Sequence, residues 1–145
     1  MKLYQNYVAQ DGIAAADTYS ARPGYSEHQS GLVVDIDNGK VPYTSFETTK
    51  EYTWMVDHAY QFGFILRYPK GTDAITGYQF EAWHYRYVGK ELALKIKNTH
   101  LTFDEYYARY LDSELQFNFD KAIILSISSS VAILFLCIIL QLLQR

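Results

Sequence analysis

A chain of 145 residues holds one small domain and one further element. Its 13 Lys and Arg against 16 Asp and Glu leave a net charge of -3, so no basic surface argues for nucleic acid as a partner. Its single cysteine, Cys137, excludes a disulfide within the chain. Cys137 lies in an apolar run, where it reads as a small hydrophobe.

Met1 to Asp17 reads as helical, with Leu3, Tyr4, Tyr7 and Val8 at helix spacing. Gly12 interrupts it, and Ala14 to Ala16 continue as a second short helix. No apolar run follows the basic start, so no signal peptide is read. Ser20 to Ser30 is a loop with Pro23-Gly24 as its turn. Gly31 to Asp37 is predicted as a buried strand, apolar up to Ile36 except for Asp35 and rich in β-branched residues. Asp37 to Lys40 turns the chain.

Thr48 to Gly63 is predicted as an amphipathic helix. Thr48 or Thr49 caps it, and Trp54, Val56, Ala59, Tyr60 and Phe62 form its apolar face. His58 on this helix reads as structural. Phe64 to Tyr68 is a strand and Pro69 to Thr72 a turn. Ile75 to Phe80 leads into another strand, which holds Glu81 to Tyr87. Helices follow from Gly89 to Ile96 and from Thr102 to Leu111, the second opening on Thr102 and Glu105 as a capping box. His100, between them, is given no role. Short strands between turn signals, with helices set apart, predict an α+β domain. It has a small antiparallel sheet with packed helices.

Composition changes at residue 122. Ala122 to Leu143 runs 22 residues without a charge. About 20 apolar residues span a bilayer core. The expected organisation is therefore a domain over 1–112, a tether over 113–121 and a C-terminal transmembrane helix over 122–143. Lys121 against Arg145 does not set its orientation.

The chemistry concentrates in two stretches. The first holds His28 and Asp35, the second Glu81 and His84. Two imidazoles and a carboxylate suit a borderline-soft divalent ion, and a catalytic zinc takes three protein ligands plus water. The candidate ligands are His28, Asp35 and His84, with Glu81 as the base. A carboxylate inside an apolar strand is costly unless it is paired or metal-bound. Taken singly, each residue has a plainer use: Asp35 bonding a turn, His28 in a polar loop, Glu81 and His84 as a surface pair. A Glu three residues before a His shares its face on a helix. At a bent strand end the two still aim at one point.

Ser26-x-His28-x6-Asp35 followed by Glu81-x-Trp83-His84 resembles the zinc D-alanyl-D-alanine carboxypeptidases of the VanY type. Relatives of these are the D,D-dipeptidases and the L-alanyl-D-glutamate endolysins. The flanks Ala21 to Gln29, Arg67 to Gly71 and Glu81 to Gly89 are similar too. Two separated motifs in the right order, with matching flanks, are far more specific than a lone His-x6-Asp. The resemblance implies the same α+β fold and zinc at His28, Asp35 and His84, with Glu81 as general base. It places Ser26, Tyr68, Tyr78 and Trp83 along a substrate groove. The implied substrate is a peptidoglycan stem peptide ending in D-Ala, cut at the outer face of the membrane. Fourteen Tyr suit a groove for a polar polymer, and equally a Tyr-rich core. Arg22, Arg67 and Arg86 stand open between structural pairs and the substrate carboxylate.

The resemblance also implies an earlier segment with a Tyr-Arg-Ser-type motif, which these residues do not contain. The second expectation is therefore a truncated, weak or inactive remnant that binds zinc or cell-wall peptide. A membrane protein used only for interaction is the third. Glu81 beside His84 argues against it, because an interaction module needs no base.

Overall fold

The structure is a computed structural model, which describes residues 2–112 and residue 121. The expected transmembrane helix over 122–143 lies outside the described residues. So does the tether, apart from Lys121. Among the described residues no helix is long and apolar enough to cross a membrane. The chain divides into two compact units, the first ending at Tyr106. The described part of the second is a π-helical turn, Tyr107–Leu111, with Asp112 and Lys121.

The chain opens with α1, Lys2–Asp11, and α2, Ile13–Ala16. They break at Gly12, as predicted, where φ is 81°. Tyr4 donates to Asp17 at 2.6 Å, and Asp17 also receives Arg22, which ties α1 to the loop beyond α2. A 3-10 turn, Glu27–Ser30, follows. Ser26 caps its start, and Gly31 ends it at φ 70°.

Three short strands form the sheet: β1, Val33–Asp35; β2, Phe64–Leu66; β3, His84–Tyr87. Their spatial order is β1-β3-β2, and both pairings are antiparallel. β1 and β2 therefore run parallel to each other on either side of β3. Asp35 faces His84 and Leu66 faces Tyr85 in register. The predicted antiparallel α+β architecture is what the first unit adopts.

The long link from β1 to β2 is not the single helix expected over Thr48–Gly63. It runs as a 3-10 helix, Tyr43–Thr48, then α3, Lys50–His58, then a second 3-10 helix, Ala59–Phe62. Thr49 is extended and its hydroxyl accepts from the Tyr52 N–H at 3.1 Å, so α3 must start after it. Gly63 ends the link at φ 88°, and a Cβ there would sit 2.7 Å from Tyr87 Cε2. Only glycine lets the link turn into β2 this close to β3.

Three further expectations change. The strand over Gly31–Asp37 shrinks to three residues at a sheet edge, and only Val33 of them is buried. An edge strand is covered less completely than a central one, so the apolar run did not mean burial. Ile75 does not lead straight toward β3. It lies in α4, Asp73–Thr76, which Gly77 stops at φ 77°. The last predicted helix is α-helical only as α6, Phe103–Tyr106, before the π-helical turn. Between β3 and α6 stands α5, Lys90–Thr99.

The core is built of Phe46, Ala59, Ile65, Tyr85, Ala93 and Ile96, with Phe46 and Tyr85 the largest fully buried side chains. The capping box forms as read. Thr102 N–H donates to Glu105 at 2.8 Å, and Glu105 N–H donates to Thr102 Oγ1 at 3.1 Å.

Candidate metal centre

Each of the three candidate ligands is placed by a different local device. His28 sits in the 3-10 turn that Ser26 caps, the Ser26 hydroxyl accepting from the His28 N–H at 3.4 Å. Asp35 is the last residue of β1, and His84 is the first of β3. Because these two are register partners, their side chains share a face of the sheet. His28 Nε2 lies 3.4 Å from Asp35 Oδ1, and His84 Nδ1 lies 3.6 Å from the same oxygen. One donor atom from each residue falls within 4.8 Å of the others. Donor atoms around a tetrahedral zinc at ~2.1 Å stand about 3.4 Å apart. Two imidazole nitrogens and a carboxylate oxygen at these separations fit that ion.

Glu81 reaches the centre from a turn rather than from the strand expected to hold it, since β3 begins only at His84. The His84 N–H donates to the Glu81 carbonyl at 3.4 Å, which closes Glu81–His84 into a turn at the head of β3. The carboxylate then lies 3.2 Å from His84 Nδ1. Asp35 and Glu81 thus aim two carboxylates at one ring nitrogen. Asp35 is not the buried group expected from its sequence. Its side chain is 50% exposed, against 7% for His84.

The other face of His84 was not foreseen. Nε2 lies 3.6 Å from Glu27 Oε2. Glu27 Oε1 accepts from Arg67 Nε at 2.8 Å and stands 3.4 Å from Arg86 Nη1. Arg67 in turn donates to both oxygens of Asp104 in α6, at 2.5 and 3.0 Å. The three arginines are now sorted. Arg67 and Arg86 pair with Glu27, and Arg22 pairs with Asp17 on an exposed surface. No local signal marks this network, in which Arg67 alone bonds residues 37 and 40 positions away in the chain.

The electrostatics follow the geometry. Burial pushes the His84 imidazole down, but Glu27, Glu81 and Asp35 outweigh it and the net direction is up. Burial pushes Glu27 up, but His84, Arg67 and Arg86 outweigh it and hold its carboxyl at about 2. A carboxyl lowered on folding stabilises the fold above its unfolded value of 4.5. That stability is lost as pH falls through about 2. In metal-free protein, urea stability should therefore drop between about pH 4.5 and pH 2, by on the order of 2–3 kcal/mol from this group. Glu27→Gln should flatten that part of the profile. A profile identical to that of the wild type would show that Glu27 carries none of it.

The groove residues divide. Tyr68 packs at a tilt against His84, 4.8 Å between ring centroids, and against Tyr78 at 4.9 Å. Tyr68 is 5% exposed, so it packs beneath the centre, whereas Tyr78 is half-buried. Trp83 is also half-buried and meets Tyr43 edge to face at 4.9 Å. Tyr43 was assigned nothing from sequence. Ser26 acts on the His28 turn. An open apolar cavity near β1, lined by Ile36, Phe46, Trp54 and Met55 among others, includes none of the four residues of the centre.

Comparison with known proteins gives one family. The family model for VanY, D-alanyl-D-alanine carboxypeptidase, matches residues 1–90. The D-alanyl-D-alanine carboxypeptidase of Enterococcus faecalis is 45% identical over 102 residues, 70% of this chain and 37% of that protein. The solved LdcB LD-carboxypeptidase is 53% identical with a TM-score of 0.65, covering 74% of this chain and 56% of that one. A solved VanY D,D-pentapeptidase in complex with Zn(II) is 43% identical with a TM-score of 0.59, covering 72% and 60%. The chain spans about two fifths of the length of the curated relatives it matches first.

Proposed function

Because the chain belongs to the VanY family of D-alanyl-D-alanine carboxypeptidases, we propose that it is a zinc peptidase. It removes the C-terminal D-alanine from peptidoglycan stem peptides. The observation that carries this is the convergence of His28, Asp35 and His84 within 4.8 Å, with the Glu81 carboxylate 3.2 Å from His84 Nδ1.

His28, Asp35 and His84 hold the zinc. When bound, zinc activates water and polarises the scissile carbonyl. Glu81 takes the proton that the attacking water loses and returns it to the leaving amine. Its carboxylate is 12% exposed, which keeps bulk water from competing for that proton. Tyr78 and the Trp83-Tyr43 pair flank the substrate, and Tyr68 buttresses His84 from below. Residues 122–143 anchor the domain over 1–112 to the membrane, with the domain on the outer face where the wall lies.

The bond cut has two versions. D,D-cleavage fits the matching family model. L,D-cleavage is favoured by the higher identity to the LD-carboxypeptidase, 53% against 43% for the D,D-pentapeptidase. One assay serves both. The full chain in detergent is given stem pentapeptide and stem tetrapeptide, and free D-alanine is measured. Release is expected from one of them, lost on chelation and regained with zinc. Release that ignores the chelator, or none from zinc-loaded protein, would defeat the proposal.

A further inference from the structure

A neutral imidazole carries one proton, and its position decides which nitrogen is free to bind a metal. Around His84 the two sides are unequal. Nδ1 faces Asp35 and Glu81 at 3.6 and 3.2 Å, in the candidate centre. Among the described residues, Nε2 faces one carboxylate, Glu27 Oε2, at 3.6 Å. Both atoms of that second contact are buried, and neither has a hydrogen-bond partner among the described residues. Two orphaned polar atoms this close need a shift of about half an ångström to bond. A carboxylate only accepts. With the metal on the Nδ1 side, where His28 and Asp35 converge, Nδ1 must offer its lone pair, and the proton belongs on Nε2, facing the Glu27 carboxylate.

We infer that Glu27 is a positioning residue of the metal centre. It fixes the His84 tautomer and ring angle from behind, and Arg67, braced by Asp104, holds its carboxylate in place. This inference rests on the metal reading above. Arg67 is 7% exposed and occupies Glu27 Oε1 at 2.8 Å, so the second oxygen is the one turned to His84. The fork of Arg67 grips both oxygens of Asp104, which limits its own movement. Glu27 precedes His28 directly. The same 3-10 turn therefore supplies one ligand and the support of another. Outer partners of metal-bound histidines typically set 10–100-fold in affinity.

The test reads metal affinity and the imidazole proton, not turnover. Zinc affinity of the full chain in detergent is measured against a chromogenic chelator. Imidazole 1H–15N spectra are recorded on zinc-loaded wild type. The expected wild-type spectrum shows a His84 Nε2–H that exchanges slowly with water, unlike the ring protons of exposed His100. Glu27→Ala is expected to weaken zinc by about 10–100-fold. Glu27→Gln, which keeps an acceptor, should recover part of the loss. If Glu27→Ala does not fold, the wild-type proton still decides. Rapid exchange of the Nε2 proton, or zinc affinity in Glu27→Ala equal to that of wild type, overturns the inference alone. A wild-type chain that binds no zinc overturns the metal reading, and this inference falls with it.

Discussion

Glu81→Gln is expected to lower D-alanine release by about 10²–10⁴-fold, the usual contribution of a positioned general base. Zinc content should stay close to that of wild type. The reasoning starts from geometry. The Glu81 carboxylate enters from the turn before β3 and stands 3.2 Å from His84 Nδ1. Glutamine keeps the shape and loses the ability to take a proton. If the three ligands are His28, Asp35 and His84, the change touches proton transfer and leaves coordination intact. Two measurements are needed on one preparation: metal content after dialysis, and the rate of D-alanine release. Loss of zinc together with activity would make Glu81 a ligand, and the base would have to be sought elsewhere. An unchanged rate would remove Glu81 from the mechanism.

The second large effect is expected at His84. His84→Ala should weaken zinc binding by more than the roughly 10–100-fold attributable to an outer partner. It should also destabilise the metal-free fold by about 2–4 kcal/mol. His84 is 5% exposed and opens the central strand. Removing its ring leaves a cavity. It also strips Glu27 Oε2 and Glu81 of the imidazole between them. Urea unfolding in the presence of a chelator isolates the fold, and metal analysis isolates the site. Equal zinc in wild type and variant would end the ligand assignment. The exposed ligands give a contrast. His28→Ala should lose metal with little effect on the metal-free fold, because the His28 side chain is 45% exposed.

Much of the fold was legible where neighbours in sequence decide it. Gly12 breaks α1 from α2, and Thr102 and Glu105 cap α6 reciprocally, because both depend on residues within four positions. The link from β1 to β2 was less legible. Its helical periodicity was real, but the Thr49 cap and Gly63 divided it into three pieces. Burial of β1 was misjudged for another reason. An apolar run tells of apolar residues, not of sheet order, and β1 lies at the edge.

The sequence alone determined the residue types of the centre and the two stretches that hold them. Imidazole and carboxylate at those spacings carry their chemistry wherever they are placed. Tertiary structure decided what those groups meet. Pairing of β1 with β3 set Asp35 opposite His84. The turn before β3 carried Glu81 to the same ring nitrogen. The contacts that run from His84 through Glu27 and Arg67 to Asp104 each join residues 37 or more positions apart. Such contacts leave no period in the sequence. They arise only when strand order and helix packing close long loops, so only the folded chain separates an arginine that braces the site from one that pairs on the surface.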